Sequence, residues 1–95
     1  MKLLSIVIPT YNRCLYLDFL LSRIQEISVH YEIQLIVCNN SSTDDTHNVV
    51  NKWKSKFKEI IIIEHNKNMG YDYNVASGYL RVTSKYVWIL GDSYL

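Results

Sequence analysis

Short apolar runs alternate with segments of helical periodicity along this chain, and the alternation constrains its fold more than any other feature. Four runs are rich in β-branched or aromatic residues and are predicted to be strands: residues 5–8, 33–38, 60–63 and 86–90. A helical segment lies between each run and the next, so the predicted order is β-α-β-α-β-α-β. Because helices that join parallel strands make right-handed crossovers, this order predicts an α/β fold, an open parallel sheet with helices on both faces.

The helical segments are recognised by the spacing of their apolar residues. The first is an amphipathic helix with Leu17, Leu20, Leu21, Ile24 and Ile27. The second is predicted to bury a stripe of Val49, Val50, Trp53 and Phe57. The third, from about residue 71 to residue 82, carries Val75, Ala76, Tyr79 and Leu80.

The polar turn before the second helix predicts how that helix begins. Ser42 or Thr43 can cap it, because their hydroxyls accept hydrogen bonds from unpaired backbone N–H groups. Asp44 and Asp45 suit the positive end of the helix dipole.

The composition fits one packed domain. The chain has 95 residues, of which 48% are hydrophobic and 20% charged. Ten basic and nine acidic residues leave a net charge of +1, which provides no basic field for DNA or RNA, so we predict no nucleic-acid partner. No apolar run approaches the roughly 18 residues of a membrane-spanning helix, so no transmembrane segment is predicted.

The cysteines and the N-terminus predict a cytoplasmic protein. Cys14 and Cys38 have no CxxC spacing, so free, reduced thiols are expected rather than a disulfide framework or a zinc site. The apolar start is broken by Ser5, ends at Pro9 and lacks a small-residue cleavage site. It is therefore predicted to be a first strand and not a signal peptide.

Polar clusters follow the predicted strands, at residues 10–13, 39–45, 66–70 and 92–93. In open α/β sheets, ligands bind outside the carboxyl ends of the strands. The four clusters therefore predict a ligand site at one edge of the sheet. Because loops are polar in most proteins, this convergence is a hypothesis.

Several catalytic and nucleotide-binding motifs are absent from the sequence. There is no GxGxxG after the first strand and no GxxxxGK[ST], so dinucleotide-binding and P-loop proteins are excluded. There is no GxSxG for a hydrolase nucleophile. His30, His47 and His65 lie in separate segments and are interpreted as surface or partly bonded imidazoles, with His65 of most interest because it ends a strand.

Three residues at the predicted edge each have a functional and a structural interpretation. Asp92, behind Gly91, lies where a metal, ribose or phosphate would be expected, or it is a turn aspartate that caps backbone groups. Tyr11 can stack on a base or pack against the protein. Asn40 can bond the edge of a base or form an Asx turn, and spacing alone leaves these alternatives open.

Four motifs together resemble one known family. They are SIVIPTYNR at residues 5–13, IVCNNSSTDDT at 36–46, NKNMG at 66–70 and YVWILGDS at 86–93. They closely resemble the N-terminal, nucleotide-sugar-binding half of family 2 glycosyltransferases of the GT-A fold. The resemblance implies transfer of a sugar from a nucleotide diphosphate donor to an acceptor hydroxyl. It also implies that residues 1–95 form a single, partial GT-A domain that ends after the fourth strand and is inactive alone.

The family pattern assigns roles to matching residues of this chain. By resemblance, the nucleotide-binding residues are Pro9, Thr10, Tyr11, Arg13, Asn39, Asn40 and Asp92. Tyr11 would be the stacking platform for the base, and Asp44 would cap a helix and shape its loop. Asp92 and Ser93 match the metal motif, which usually holds Mg²⁺ or Mn²⁺.

Two departures from the family pattern concern the ligand. Asn39 and Asn40 stand where the family usually has an Asp-Asp or Asp-Asn pair, and an amide can accept the N3–H of uracil more weakly or donate to N3 of cytosine. The donor base is therefore open between a UDP-sugar and a CDP-sugar, and a CDP-sugar is more plausible than is usual for the family. Ser93 falls where a metal-binding Asp is usual, and a neutral hydroxyl is a weak ligand for a hard cation. Metal affinity is therefore expected to fall.

The resemblance also implies a cellular context. The expected acceptor is a saccharide or a lipid-linked acceptor of bacterial cell-surface polysaccharide synthesis, used in the cytoplasm or at the inner face of the membrane. An uncovered sheet edge after the fourth strand predicts a homodimer or self-association. The alternative function is a non-catalytic nucleotide-binding or scaffold remnant, and a flavodoxin-like or receiver-type domain is disfavoured because Pro-Thr-Tyr-Asn replaces its acidic cluster after the first strand.

Overall fold

The computed structural model describes residues 3–91, and its elements follow the predicted order. The strands are β1 (Leu4–Thr10), β2 (Ile33–Asn39), β3 (Ile60–Glu64) and β4 (Tyr86–Ile89). The helices are α1 (Cys14–Ser28), α2 (Thr46–Lys54) and α3 (Tyr71–Tyr79). Within residues 3–91, none of the helices has the length and apolar character needed to span a bilayer.

The strands form one parallel sheet in the order β3-β2-β1-β4. β1 and β2 pair along their whole length, from Leu4 opposite Ile33 to Thr10 opposite Asn39. Their carboxyl ends therefore lie side by side. The predicted open parallel sheet is confirmed.

Helices cover both faces of this sheet, as predicted. On one face, Ile6, Ile8 and Leu35 pack in one buried cluster with Leu17 of α1 and Val50 of α2. The opposite face is a smaller buried cluster of Val7, Ile36 and Cys38, and α3 packs against β1 and β2 there. Alternate residues of β1 and β2 thus point to different helices, which is the period-two pattern of a strand buried on both sides.

Pro9 lies inside β1, although the sequence predicts that the strand closes there. Val7 O accepts the N–H of Leu90 at 2.8 Å, so Val7 directs its backbone groups towards β4. Pro9, two residues later, directs its nitrogen to the same side, but β4 pairs with β1 only from Leu4 to Val7. The missing N–H of Pro9 therefore costs no ladder hydrogen bond.

α3 differs from its prediction in length and in the face that it buries. It ends at Tyr79 and not near residue 82. Its buried residues are Asn74 and Gly78, whereas Tyr79 is 55% exposed and Leu80 is 81% exposed. The helix lies so close to the sheet that only a small residue fits at Gly78, so apolar spacing misjudges the buried face.

α1 and α2 keep their predicted positions with smaller differences. In α1, Leu17, Leu21 and Ile24 are buried, but Ile27 in its last turn is half exposed. α2 ends at Lys54, so Phe57 packs against the core from the loop beyond it.

The predicted capping of α2 by Ser42 or Thr43 is wrong. The residue before α2 is Asp45, and the first turn is bonded instead by Asp44, whose Oδ1 accepts the N–H of Thr46 at 3.0 Å. Ser42 and Thr43 bond the loop after β1.

Candidate functional site

A cleft of about 420 Å³ opens at the carboxyl ends of β1 and β2, next to the start of α3. It is lined by Pro9, Thr10, Tyr11, Arg13, Asn40, Asn68, Gly70, Tyr71 and Asn74. Another depression of about 640 Å³ lies at the opposite edge, between the loops that precede β2 and β3. No predicted site residue lines that larger depression, so the smaller cleft is the candidate site.

The loop after β1 is held in shape by the loop after β2. Asn12 has a positive φ of 53°, a conformation that asparagine tolerates better than most residues. Its side-chain Oδ1 accepts the N–H of Thr43 at 2.7 Å, and its own N–H donates to Ser42 Oγ at 3.0 Å. Asn12 lies between Tyr11 and Arg13, so these bonds fix the backbone that carries both residues. This wall of the cleft is therefore preorganised.

Asp44 bonds the first residues of two helices. Its Oδ2 accepts the N–H of Cys14 at the start of α1 at 3.1 Å, and its Oδ1 accepts the backbone N–H and the hydroxyl of Thr46 at the start of α2. Asp44 is exposed, and its slight desolvation opposes ionisation, but the bonds from Thr46 and Cys14 outweigh this effect and lower the pKa of Asp44. The predicted capping role of Asp44 is confirmed.

Asn40 connects the sheet to the loop before α3. It is buried at 4% exposure, and its backbone N–H donates to Thr10 O at 3.0 Å. Its side chain donates from Nδ2 to Asn68 Oδ1 at 2.9 Å and accepts the N–H of Met69 at Oδ1, at 2.8 Å. The amide that was predicted to contact a base is therefore already bonded to the loop at residues 68–69.

Asn39 is separated from the cleft. It ends β2, and its Oδ1 accepts the N–H of Ser42 at 3.1 Å in an Asx-type turn. It does not line the cleft. The role of Asn39 in contacting the base stays a prediction, and the geometry gives it a loop-shaping function.

Two buried polar atoms among the cleft-lining residues have no hydrogen-bond partner in the described part of the chain. They are Thr10 Oγ1 and Asn74 Oδ1, and both residues are 2% exposed. The orientation of Asn74 is fixed because its Nδ2 donates to Cys38 O at 2.9 Å, which leaves the oxygen as the unpaired atom. Unpaired polar atoms are costly in a protein interior, and they concentrate here beside the cleft.

The cleft brings together five of the predicted nucleotide-binding residues: Pro9, Thr10, Tyr11, Arg13 and Asn40. Tyr11 is 44% exposed, so its ring is accessible. The assignment of these side chains to a nucleotide remains a prediction.

Sequence reasoning missed four cleft residues. Asn68 and Gly70 belong to a motif noted only for its turn-forming residues, while Tyr71 and Asn74 lie in the first turns of α3. The signal for Asn74 is a polar residue four positions before Gly78, which places both on the buried face of one helix.

The metal assignment lies outside the described residues. Asp92 and Ser93 follow Gly91, the last residue that the structure describes. Within residues 3–91, the His, Cys, Asp and Glu side chains form no group of three or more that could hold a metal ion.

His65 and Cys38 are both packed into the fold away from the cleft. The ring of His65 packs edge-on against Tyr73 with centroids 5.6 Å apart, and its Nε2 is 3.3 Å from Ser77 Oγ. Cys38 is a free, buried thiol, and burial raises its pKa to about 11. Neither residue lines the cleft.

Comparison with known proteins identifies relatives over nearly the whole chain. The sequence model of glycosyl transferase family 2 matches residues 5–92. Abequosyltransferase RfbV of Salmonella typhimurium is 34% identical over 91 residues, which are 94% of this chain and 27% of that protein. This chain therefore spans about a quarter of the length of that relative.

Solved structures share the fold at lower sequence identity. TarS of S. aureus in complex with UDP has a TM-score of 0.84 and 23% identity, over 97% of this chain and 27% of that chain. Mannosyltransferase PcManGT of Pyrobaculum calidifontis, in complex with GDP-Man and Mn²⁺, has a TM-score of 0.83 and 21% identity, over 97% of this chain and 28% of that chain. The sheet and helices are therefore arranged as in these glycosyltransferases.

Proposed function

This chain belongs to glycosyl transferase family 2, and we propose that it forms the donor-binding half of an enzyme that transfers a sugar from a nucleotide diphosphate to an acceptor hydroxyl. The observation that carries the proposal is the cleft at the carboxyl ends of β1 and β2, where Tyr11, Arg13 and Asn40 lie together. Residues 1–95 are proposed to belong to this donor-binding half.

The wall formed by Tyr11 suits a nucleobase. Its ring is accessible at the mouth of the cleft, and the neighbouring backbone is fixed by the bonds of Asn12. An aromatic ring that is held in place gives a flat contact area without losing much side-chain freedom on binding. Tyr11 therefore stacks on the base.

The charge and polar groups of the cleft suit the rest of a nucleotide diphosphate. Arg13 is half-buried in the lining and supplies a positive charge for the phosphates. Thr10 provides a hydroxyl that has no hydrogen-bond partner among the described residues. Since TarS, a structural neighbour, binds UDP, a UDP-sugar is the proposed donor and a CDP-sugar is the alternative.

A divalent cation completes the proposed site. In the sequence, two residues separate Asp92 from the end of β4. Its carboxylate is a hard oxygen ligand of the kind that Mg²⁺ and Mn²⁺ prefer. Ser93 adds only a neutral hydroxyl, so the site is proposed to bind the metal weakly. When bound, such an ion neutralises negative charge on the departing diphosphate.

The proposed context is a bacterial pathway of cell-surface polysaccharide synthesis. The support is the similarity to an abequosyltransferase, a protein that this chain covers over 27% of its length. The acceptor is a saccharide or a lipid-linked acceptor, and the site of action is the cytoplasm or the inner face of the membrane.

β4 supports a proposal of self-association. It lies at the edge of the sheet formed by residues 3–91, and three of its side chains are exposed there: Tyr86 at 56%, Trp88 at 52% and Ile89 at 42%. Exposed apolar edge strands promote pairing between chains. We expect a homodimer in sedimentation equilibrium, and Trp88→Lys should shift it to monomer; a monomeric wild type at high concentration would refute the dimer.

Binding of UDP to a matched pair of tyrosine variants tests the proposed site. Tyr11→Leu should weaken UDP binding by about tenfold, because stacking of a base on an aromatic ring contributes about 1–3 kcal/mol. Tyr31→Leu is the control, since Tyr31 is also exposed but lies at the opposite edge. Calorimetry that gives equal affinities for the two variants would refute the site.

A further inference from the structure

The side-chain amide of Asn40 is held in one orientation by two independent backbone donors. Gly70 N–H donates to Asn68 Oδ1 at 2.8 Å, and Asn40 Nδ2 donates to the same oxygen at 2.9 Å. Met69 N–H donates to Asn40 Oδ1 at 2.8 Å. Because a backbone N–H can only donate, the atom that it meets must be an acceptor, so both amides have a single consistent assignment.

This network joins the end of β2 to a wall of the cleft. Asn40 is buried and anchored to β1 through its bond to Thr10 O. The loop that it holds supplies Asn68 and Gly70 to the cleft lining. Gly70 has a φ of 86°, and α3 begins immediately after it. The hydrogen bonds that hold this wall in position therefore run through the side-chain amides of Asn40 and Asn68.

We propose that Asn40 is a positioning residue that shapes the donor cleft through Asn68, and that its place requires a side chain with both a donor and an acceptor. The effect on ligand binding rests on the proposed function, but the effect on the loop does not. A carboxylate at position 40 would still accept the Met69 N–H. It would also set an anionic oxygen against Asn68 Oδ1, which cannot turn away without breaking its bond to Gly70 N–H.

This inference predicts an unusual direction for one substitution. A carboxylate is a stronger acceptor than an amide for the N–H of a base, so direct recognition of the base by Asn40 would make Asn40→Asp bind UDP more tightly. If Asn40 acts through Asn68, the same substitution weakens binding because it displaces the loop. The two interpretations therefore predict opposite changes in UDP affinity for Asn40→Asp.

A double-mutant cycle separates them. Titration calorimetry with UDP is done on the wild type, Asn40→Asp, Asn68→Ala and the double variant, with Asn51→Asp as a control that adds the same charge on α2 outside the cleft. We expect Asn40→Asp to lose about tenfold in affinity when Asn68 is present and to lose little in the Asn68→Ala background. Tighter or unchanged binding by Asn40→Asp, or additive losses, would overturn the inference.

The amide resonances of Met69 and Gly70 provide a readout that needs no ligand. They should shift in Asn40→Asp and stay unchanged in Asn51→Asp, while the resonances of the core strands show that each variant is folded. Unchanged Met69 and Gly70 resonances in Asn40→Asp would also overturn the inference. If the wild type binds no UDP, the proposed function fails, and these resonances still decide whether Asn40 positions the loop.

Discussion

Asp44 Oδ2 accepts the backbone N–H of Cys14 at 3.1 Å, across thirty residues of sequence. The other oxygen of the same carboxylate accepts the N–H of Thr46 at 3.0 Å. One side chain thus satisfies unpaired donors at the starts of α1 and α2, the two helices on one face of the sheet. Because Tyr11 and Arg13 directly precede α1, this carboxylate also fixes the wall of the cleft.

Asp44→Ala is expected to lower the free energy of unfolding by about 2 kcal/mol, since it removes the capping interactions of two helices. Asp45→Ala is the matched control. The Asp45 side chain accepts a hydrogen bond from Asn48 Nδ2 of the same helix at 2.6 Å and caps no backbone N–H of α2, so a loss of less than about 0.5 kcal/mol is expected. Urea denaturation measures both values, and equal losses would show that Asp44 has no special role.

Acid should remove the contribution of Asp44. Hydrogen bonds place its pKa in the folded chain below the ordinary value, so the folded state binds fewer protons than the unfolded state near that pKa. The stabilisation is complete above the unfolded pKa of about 3.9 and is lost as the pH falls through the lower folded pKa. The stability difference between wild type and Asp44→Asn should therefore narrow as the pH falls below about 4, towards the lower folded pKa. A difference that stays constant or widens over this range would contradict the prediction.

Asp18 should add to the same acid sensitivity. Hydrogen bonds from Lys52 and Trp53 lower its pKa, and the Lys52 Nζ to Asp18 Oδ1 distance is 2.6 Å. Asp18 belongs to α1 and Lys52 to α2, so this ion pair joins the two helices. Asp18 is present in both the wild type and Asp44→Asn. Comparing the stabilities of these two proteins at each pH therefore cancels the contribution of Asp18.

The sequence predicts the layers of this fold better than it predicts the faces of α3. β-branched runs and helical periods identify every strand and helix, because burial on both sides leaves a strong apolar pattern. In α3 the buried face is formed by Asn74 and Gly78, and hydrophobicity carries no information about a helix that packs through its backbone. The hydrogen-bond partners of the Asn40 side-chain amide are equally hard to predict from the sequence, because they lie 28 and 29 residues away.

The close packing of α3 makes Gly78→Ala destabilising. A Cβ at Gly78 would collide with Cys38 Sγ and lie 2.7 Å from Val7 Cγ1, both in the buried sheet. Overpacking of this kind costs about 1–3 kcal/mol. Gly91→Ala is the control, because a Cβ there meets no atom of residues 3–91 within 4 Å. Thermal unfolding should show a lower melting temperature for Gly78→Ala only, and equal melting temperatures would contradict the packing of α3.

Thr10→Val should stabilise the free chain. The hydroxyl of Thr10 is buried and has no hydrogen-bond partner within residues 3–91, so replacing it by a methyl group of similar size removes a desolvation cost of about 1 kcal/mol. Thr46→Val is the matched control: Thr46 is fully buried, but its hydroxyl bonds Asp44, and this variant should lose about 1 kcal/mol. Denaturant titrations of both variants measure the signs. A destabilised Thr10→Val would show that the hydroxyl is paired in solution.

Amide NMR with stepwise addition of UDP and Mg²⁺ tests the central claim, that the cleft at the ends of β1 and β2 binds the nucleotide. We predict saturable shifts at Tyr11, Arg13, Gly70 and Tyr71, with no shifts at residues 28–33 and 56–59, which line the depression at the opposite edge. A dispersed spectrum that does not respond to UDP or CDP, or that responds only at the opposite edge, would contradict the assignment of the cleft as the donor site.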